Sequence, residues 1–194
     1  MKELIFATNN ANKVYEIQTA IGNLIRVISL SEAGIDIDIP EPYDTLEANA
    51  SVKSGTIYNL TAKDCFSEDT GLEVEALNWE PGVKSARYAG EDKDFERNIK
   101  KLLQNLLHKE TRQARFRTVI SLIYKGHEYL FEGICQGKII ENKRGLLGFG
   151  YDPVFVPSGS NRTFAEMDIN EKNLFSHRKK AADKLVLFLQ AQMS

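Results

Sequence analysis

A strand that runs directly into a helix opens the chain, and no other feature constrains the fold as much. Residues 4–7 (Leu-Ile-Phe-Ala) read as a short buried strand, and Val14, Ile17, Ile21 and Leu24 recur at the spacing of one helix face. Between them lie Thr8, Asn9, Asn10, Ala11, Asn12 and Lys13, a loop rich in short hydrogen-bonding side chains. Exposed amides at such a helix start, with Lys13 beside them, make a natural seat for an anion. Capping by Asn or Thr accounts for part of the loop. It does not account for Lys13, because the helix dipole disfavours a cation in the first turn. The glycines of a Walker loop are missing.

The alternation continues. Residues 25–30 read as a second strand, and residues 35–42 as an edge strand that breaks at Pro40 and Pro42 and holds Glu41 in stiff extended backbone. Residues 45–60 read as a helix capped by Thr45, with an apolar stripe of Leu46, Ala50, Ile57 and Leu60. Lys53 falls on that stripe, where a lysine either snorkels outward or meets an anion. A strand over residues 64–67 is expected to end in a tight turn, Glu68-Asp69-Thr70-Gly71-Leu72. Paired acids at a strand end of an α/β sheet can hold Mg²⁺ or orient a water.

Further along, residues 78–82 form a turn carrying the sole tryptophan, Trp79, and residues 85–90 a small-residue loop. A helix is expected over 95–107, then two strands, 114–124 and 129–140, joined through Lys125-Gly126 as a hairpin. Arg115 and Arg117 alternate with apolar neighbours and are expected to face solvent or a partner. Gly148, Phe149, Gly150, Tyr151 and Asp152 follow; glycines on both sides of an aromatic let backbone approach a flat ligand. Lys172, His177 and Arg178 add cations, the last two at the N-terminal end of a final helix over 179–192. Strands and helices alternate early and a hairpin intervenes, so one mixed α/β domain spanning residues 1–194 is expected, the hairpin region making a second lobe.

The formal net charge of −2 argues against general duplex-DNA binding but not against a small polyanion held by local cations. No apolar run approaches membrane-spanning length, and the N-terminus has too short a run for a signal peptide; the expected location is cytoplasmic. Cys65 and Cys135 have strand-like apolar surroundings and read as reduced core thiols. Three scattered histidines argue against a His/Cys transition-metal centre, so a metal, if one takes part, is expected to be a hard cation bound by carboxylates and substrate oxygens.

Taken together, T-N-N-A-N-K (8–13), Lys53, E-D-T-G-L (68–72), P-G-V-K-S-A-R-Y-A-G (81–90), F-G-Y-D (149–152), E-K-N (171–173) and S-H-R (176–178) resemble the inosine triphosphate pyrophosphatase family, over nearly the whole chain. The resemblance implies Mg²⁺-dependent hydrolysis of ITP, dITP and XTP to the monophosphate and pyrophosphate. It also implies an elongated, twisted mixed sheet with flanking helices, two lobes around a substrate groove, and a homodimer. By position, Thr8 to Lys13 and Lys53 would hold the triphosphate, Asp69 would be the catalytic carboxylate and Thr70 a substrate contact. Phe149, Gly150, Tyr151 and Asp152 would form the base pocket, with Lys172, His177 and Arg178 reading the 6-oxo edge. Glu41, Glu68 and Asp69 are the metal candidates. The chain departs from the family pattern at Trp79, where glycine is usual, at Glu68, where Asp is frequent, and at Glu47, displaced by one position. Two other readings are a related pyrophosphatase acting on modified pyrimidine or standard triphosphates, and a purine-nucleotide sensor without catalysis. The sensor would leave Glu68 and Asp69 without a task.

Overall fold

Strand and helix do alternate in the computed structural model, which describes residues 2–193. In chain order the elements are β1 (Lys2–Phe6), α1 (Ala11–Ile21), β2 (Ile25–Ile28), α2 (Leu46–Thr61), β3 (Cys65–Val74), β4 (Pro81–Gly82), α3 (Phe95–Asn105), β5 (Gln113–Tyr124), β6 (His127–Ile139), β7 (Phe155–Pro157), α4 (Ile169–Asn173) and α5 (His177–Met193). Among the described residues the strands form one sheet in the order β2-β1-β3-β5-β6-β7, with β4 on β3. It is mixed: β1 runs parallel to β2 and β3, while β3–β4 and β6–β7 are antiparallel. The fold is the α/β class expected. No helix among the described residues is long and apolar enough to cross a membrane.

The chain divides into two units, one built from residues 1–69, 118–133 and 177–194, the other from 70–117 and 134–176. In the first, strand alternation sorts side chains to two faces of the sheet. Leu4, Phe6, Ile25, Phe66 and Ile120 pack with Ile17 and Ile21 of α1 and with Ala181, Leu185 and Leu189 of α5. Ile5, Ala7, Cys65 and Ile123 pack on the other face with Ile57 of α2. Each buried large apolar side chain contributes roughly 1.5–3 kcal/mol. Phe6 and Phe66, paired across β1 and β3, stack with ring centroids 4.5 Å apart. The start of α5 lies directly on β6: a Cβ on Gly133 would sit 2.0 Å from the His177 carbonyl oxygen and 2.5 Å from the Ala181 nitrogen. Only glycine lets that first turn come so near.

The second unit is built on Leu72, Val74, Ile99, Leu102, Phe116, Phe155 and Phe164. Phe116 meets Phe155 edge-on at 4.7 Å, and Phe155 meets Phe164 at 5.2 Å. Buried Asn98 on α3 receives the Ala89 amide at 2.7 Å and donates to the Ala86 carbonyl at 2.9 Å, fixing the loop over 85–90.

Four expectations are corrected. Residues 35–42 form no strand: Ile35, Ile37 and Ile39 lie half-buried against the α2-side core, but the segment joins no ladder, and Pro40 and Pro42 have no N–H to offer one. Residues 68–72 are not a turn. β3 continues to Val74, because Leu72 and Glu73 pair with Gly82 and Pro81, and Gly71 is small because its Cβ would stand 2.7 Å from the Gly82 carbonyl oxygen. The last helix begins at His177, two residues early. Arg115 does not simply face solvent: its Nε is 2.5 Å from Glu73 Oε2 and its guanidinium stacks 4.7 Å from the Trp79 ring. Trp79 itself has φ +69°, a left-handed conformation that glycine adopts without strain.

Candidate active site

Two groups of polar side chains, one in each unit, carry the chemistry. In the first unit β1 ends at Phe6 and hands the chain to the loop before α1. Asn10 caps that helix, its Oδ1 accepting from the Asn12 and Lys13 amides at 3.0 and 3.2 Å. Such a cap stabilises a helix by about 1 kcal/mol. It also takes up two of the first-turn amides that the sequence offered to an anion. Thr8 and Asn9 are fastened to the segment that follows β2, the Leu30 amide donating to the Thr8 carbonyl at 3.1 Å and the Ser31 amide to Asn9 Oδ1 at 2.9 Å. Ala11 and Asn12 are exposed, and Lys13 is half-buried with its ammonium turned inward.

That ammonium meets β3. Lys13 Nζ is 3.1 Å from Glu68 Oε1, and Arg178 grips the same carboxylate with two prongs, Nε to Oε2 at 2.8 Å and Nη2 to Oε1 at 3.0 Å. Its third nitrogen, Nη1, donates to Glu16 Oε2. Glu16, Glu68 and Arg178 are all buried. The sequence reading missed Glu16, although it lies one turn beyond Lys13 and next to inward-facing Ile17, where a surface glutamate is out of place. Arg178, expected at a base edge, has a partner set that was not foreseen.

On the opposite face of β3 the pattern repeats against α2. Cys65 Sγ, Ser67 Oγ and Asp69 Oδ1 all meet α2: Cys65 donates to the Ser54 carbonyl at 3.3 Å, Ser67 to the Ala50 carbonyl at 2.5 Å, and Asp69 accepts from Lys53 Nζ at 3.0 Å. The same ammonium donates to Glu41 Oε1 at 2.6 Å. So Lys53 is inside, paired, and does not snorkel; Asp69 and Glu41, distant in sequence, share one cation.

The electrostatics separate the two neighbouring acids. Burial alone would raise the Glu68 carboxyl, but Arg178 and then Lys13 override it and hold it far below the usual carboxylate range. Arg178 is correspondingly locked in its charged form, since Glu68 and Glu16 outweigh the burial that disfavours it. Asp69 goes the other way: burial pushes its carboxyl up, Lys53 and Lys13 offset only part of that, and the Glu41 charge adds to it. Burial would lower the Lys53 ammonium, but Asp69 and Glu41 together raise it. Counting ionised side chains, Lys13, Lys53 and Arg178 face Glu16, Glu41, Glu68 and Asp69, so the group has one anion in surplus. A polyphosphate approaching it is repelled unless a further cation comes too.

Among the described residues no three His, Cys, Asp or Glu side chains gather into a metal cage. Glu41 and Asp69 nevertheless have the donor chemistry of a hard-cation site, since Mg²⁺ is commonly held by one or two carboxylates plus substrate oxygens. Glu68 fits that task less well, with both oxygens already accepting from Arg178 and Lys13.

In the second unit, Thr70 follows Asp69 on β3 and is half-buried. Asp152, in a short 3-10 turn, is the hub of the other group: its Oδ2 accepts from the Phe149 amide at 2.9 Å and from Lys172 Nζ at 2.6 Å. Lys172 is buried and lies 5.6 Å from the Phe149 ring centre and 5.1 Å from that of Phe164. The turn depends on Gly148 (φ +74°), whose Cβ would fall 2.0 Å from Asp152 Oδ2. Gly150 (φ +61°) has open space around it, and the Phe149 ring is half-buried, tilted against Phe95 at 6.2 Å. Tyr151 is turned into the core, its hydroxyl donating to the Ser85 carbonyl at 2.9 Å and pushed up in pKa by burial. It supports the turn from beneath.

The family model described as the Ham1 family matches residues 4–188. A dITP/XTP pyrophosphatase of Christiangramia forsetii is 48% identical over 187 residues, covering 96% of this chain and 98% of that one. A dITP/XTP pyrophosphatase of Porphyromonas gingivalis is 47% identical over 190 residues, covering 97% and 98%. Among solved structures, the Ham1 protein of Staphylococcus aureus superposes with a TM-score of 0.89 at 40% identity, covering 98% of this chain and 100% of that one.

Proposed function

Because the chain belongs to the Ham1 family, we propose that Asp69, raised in pKa and paired to Lys53, is the base that activates water for attack on the innermost phosphorus of a purine nucleoside triphosphate. The protein is a nucleoside triphosphate pyrophosphatase: it hydrolyses noncanonical purine nucleoside triphosphates to the monophosphate and pyrophosphate. The observation that carries the assignment of Asp69 is the opposite treatment of two adjacent acids. Glu68 has both oxygens taken by Arg178 and Lys13, whereas Asp69 shares one ammonium with Glu41 and is raised by burial above the ordinary aspartate value.

The remaining roles follow from chemistry. Lys13 and the loop from Thr8 to Asn12 take the phosphate chain, with Lys53 assisting, and Thr70 adds a contact. Arg178 and Glu16 keep Glu68 and Lys13 in position. Glu41 and Asp69 would hold Mg²⁺, which when bound neutralises phosphate charge and polarises the bond to be cleaved. In the second unit the Phe149 ring offers a face for the base, Gly150 permits close approach, and Asp152 holds Lys172 as a fixed donor. Lys172 donates to a 6-oxo group. Adenine presents a 6-amino group instead, so donors would face donors, and buried unpaired donors discriminate strongly. On the resemblance alone we read the protein as a homodimer, and on its reduced buried thiols as cytoplasmic.

A panel of ITP, dITP, XTP, ATP, GTP and pyrimidine triphosphates, assayed with Mg²⁺ for pyrophosphate release, tests the reading. ITP, dITP and XTP should lead in kcat/KM; pyrimidine turnover above ITP would overturn the base assignment.

A further inference from the structure

Lys53 Nζ stands between two carboxylates, 2.6 Å from Glu41 Oε1 and 3.0 Å from Asp69 Oδ1, with its side chain 8% exposed. Three features hold this arrangement in place. Asn49 lies one helical turn before Lys53 on α2 and clasps Tyr43, accepting from its amide at 3.0 Å and donating to its carbonyl at 2.9 Å. That clasp brings the segment carrying Glu41 onto the same face of α2 as Lys53. Pro40 and Pro42 stiffen the backbone on either side of Glu41, and β3 fixes Asp69. An ammonium in this position takes the place between two oxygen donors that a divalent cation would need.

We propose that Lys53 is a built-in counter-ion for the metal seat: in the free protein it holds Glu41 and Asp69 together, and a divalent cation enters only as the triphosphate draws the ammonium away. The inference rests on the reading of Glu41 and Asp69 as the metal carboxylates. Its physical basis is exclusion of charge by charge. Two carboxylates with one ammonium between them keep only half their joint charge, and a doubly charged cation entering there meets Lys53 at close range. A phosphate chain reverses the balance, because it offers the ammonium another anion. The four-carbon stem of lysine lets Nζ move without moving α2. Metal and nucleotide therefore load together, and the free protein binds metal weakly.

The test is Mn²⁺ binding to the nucleotide-free full chain, followed by electron paramagnetic resonance of the unbound ion. Lys53→Met should bind Mn²⁺ at least about tenfold more tightly than the wild type, the close repulsion having been removed. Lys53→Gln, which keeps hydrogen-bond donors but not the charge, should shift the same way; melting curves establish that each variant is folded. Adding Glu41→Gln to Lys53→Met should abolish the gain. If both Lys53 variants bind no more tightly than the wild type, while Glu41→Gln alone still weakens binding, the counter-ion role is wrong and the metal reading stands. If Glu41→Gln changes nothing in either background, the metal reading itself fails.

Discussion

Glu68 and Asp69 are adjacent on β3, yet their carboxylates meet different helices on opposite faces of the sheet: Glu68 pairs with Lys13 of α1 and Arg178 of α5, Asp69 with Lys53 of α2. The two-residue period of a strand makes this possible. One carboxylate is gripped by three N–H donors and stays ionised. Its neighbour has a single ammonium, shared with Glu41, and is pushed up in pKa. A strand thus separates, over one residue, an anion that organises cations from an acid able to exchange a proton.

Asp69→Asn separates these roles. The amide keeps the shape and can still contact Lys53, but it cannot accept a proton from water. We expect kcat for ITP to fall by about 10²–10⁴ with KM changed little, the range for removal of a general base. Pyrophosphate release under saturating ITP measures it, and a kcat near that of the wild type would remove Asp69 from the mechanism.

The same environment sets the pH dependence. Asp69 must be ionised to act, and its pKa is raised, so the acid limb of kcat/KM should lie above the ordinary aspartate value of about 3.9. Glu41 is one of the groups raising it. Glu41→Gln should therefore move the limb to lower pH, whatever it does to the plateau. Lys53 lowers it, so Lys53→Met should move the limb upward. Profiles of kcat/KM against pH for the three proteins decide; identical limbs would mean that another group titrates.

Arg178 bears first on folding. Removing it leaves Glu68 and Glu16 buried without their main cation, and breaking a buried pair from one side costs roughly 3–5 kcal/mol. Arg178→Ala should lower the melting temperature markedly, and adding Glu68→Gln should recover part of the loss. The sign with pH is also fixed. The folded pKa of Glu68 is depressed, so its stabilisation is present above the ordinary carboxylate value of 4.5 and is lost as pH falls below it. The wild type should thus lose stability on acidification more steeply than Glu68→Gln. Denaturant unfolding between neutral and acid pH measures both slopes.

Much of this arrangement was legible from residue pattern. Lys53 stood out because a lysine interrupted an apolar stripe, and Thr45 because hydroxyl caps precede such stripes; both are where the pattern puts them. The misread segments share a cause. Residues 68–72 carry turn-like residue types, but pairing of Leu72 and Glu73 with β4 overrides local preference, and that partner is set by tertiary structure. Residues 35–42 alternate like a strand yet find no ladder. Glu16 escaped notice because what sets it apart is burial against Arg178, which lies 162 positions away in sequence. Pattern reveals which face a residue occupies; it does not reveal what arrives on that face from the far end of the chain.

Gly148 and Gly150 flank one aromatic ring but should fail differently when replaced by alanine. Both have positive φ, so each alanine costs about 1–2 kcal/mol in backbone strain. At 150 nothing else in the protein is within 4 Å of the new Cβ. At 148 the methyl would overlap the Asp152 carboxylate, which must move. Asp152 then releases the Phe149 amide and leaves Lys172 buried without that acceptor. Gly148→Ala should therefore lose more stability than Gly150→Ala, and should lose discrimination between ITP and ATP together with it. Gly150→Ala should keep the fold and raise KM for ITP, because the methyl projects where a flat base would lie. Melting curves and kcat/KM for ITP and ATP on both variants separate the two roles. An unchanged KM in Gly150→Ala would mean that no base approaches this turn.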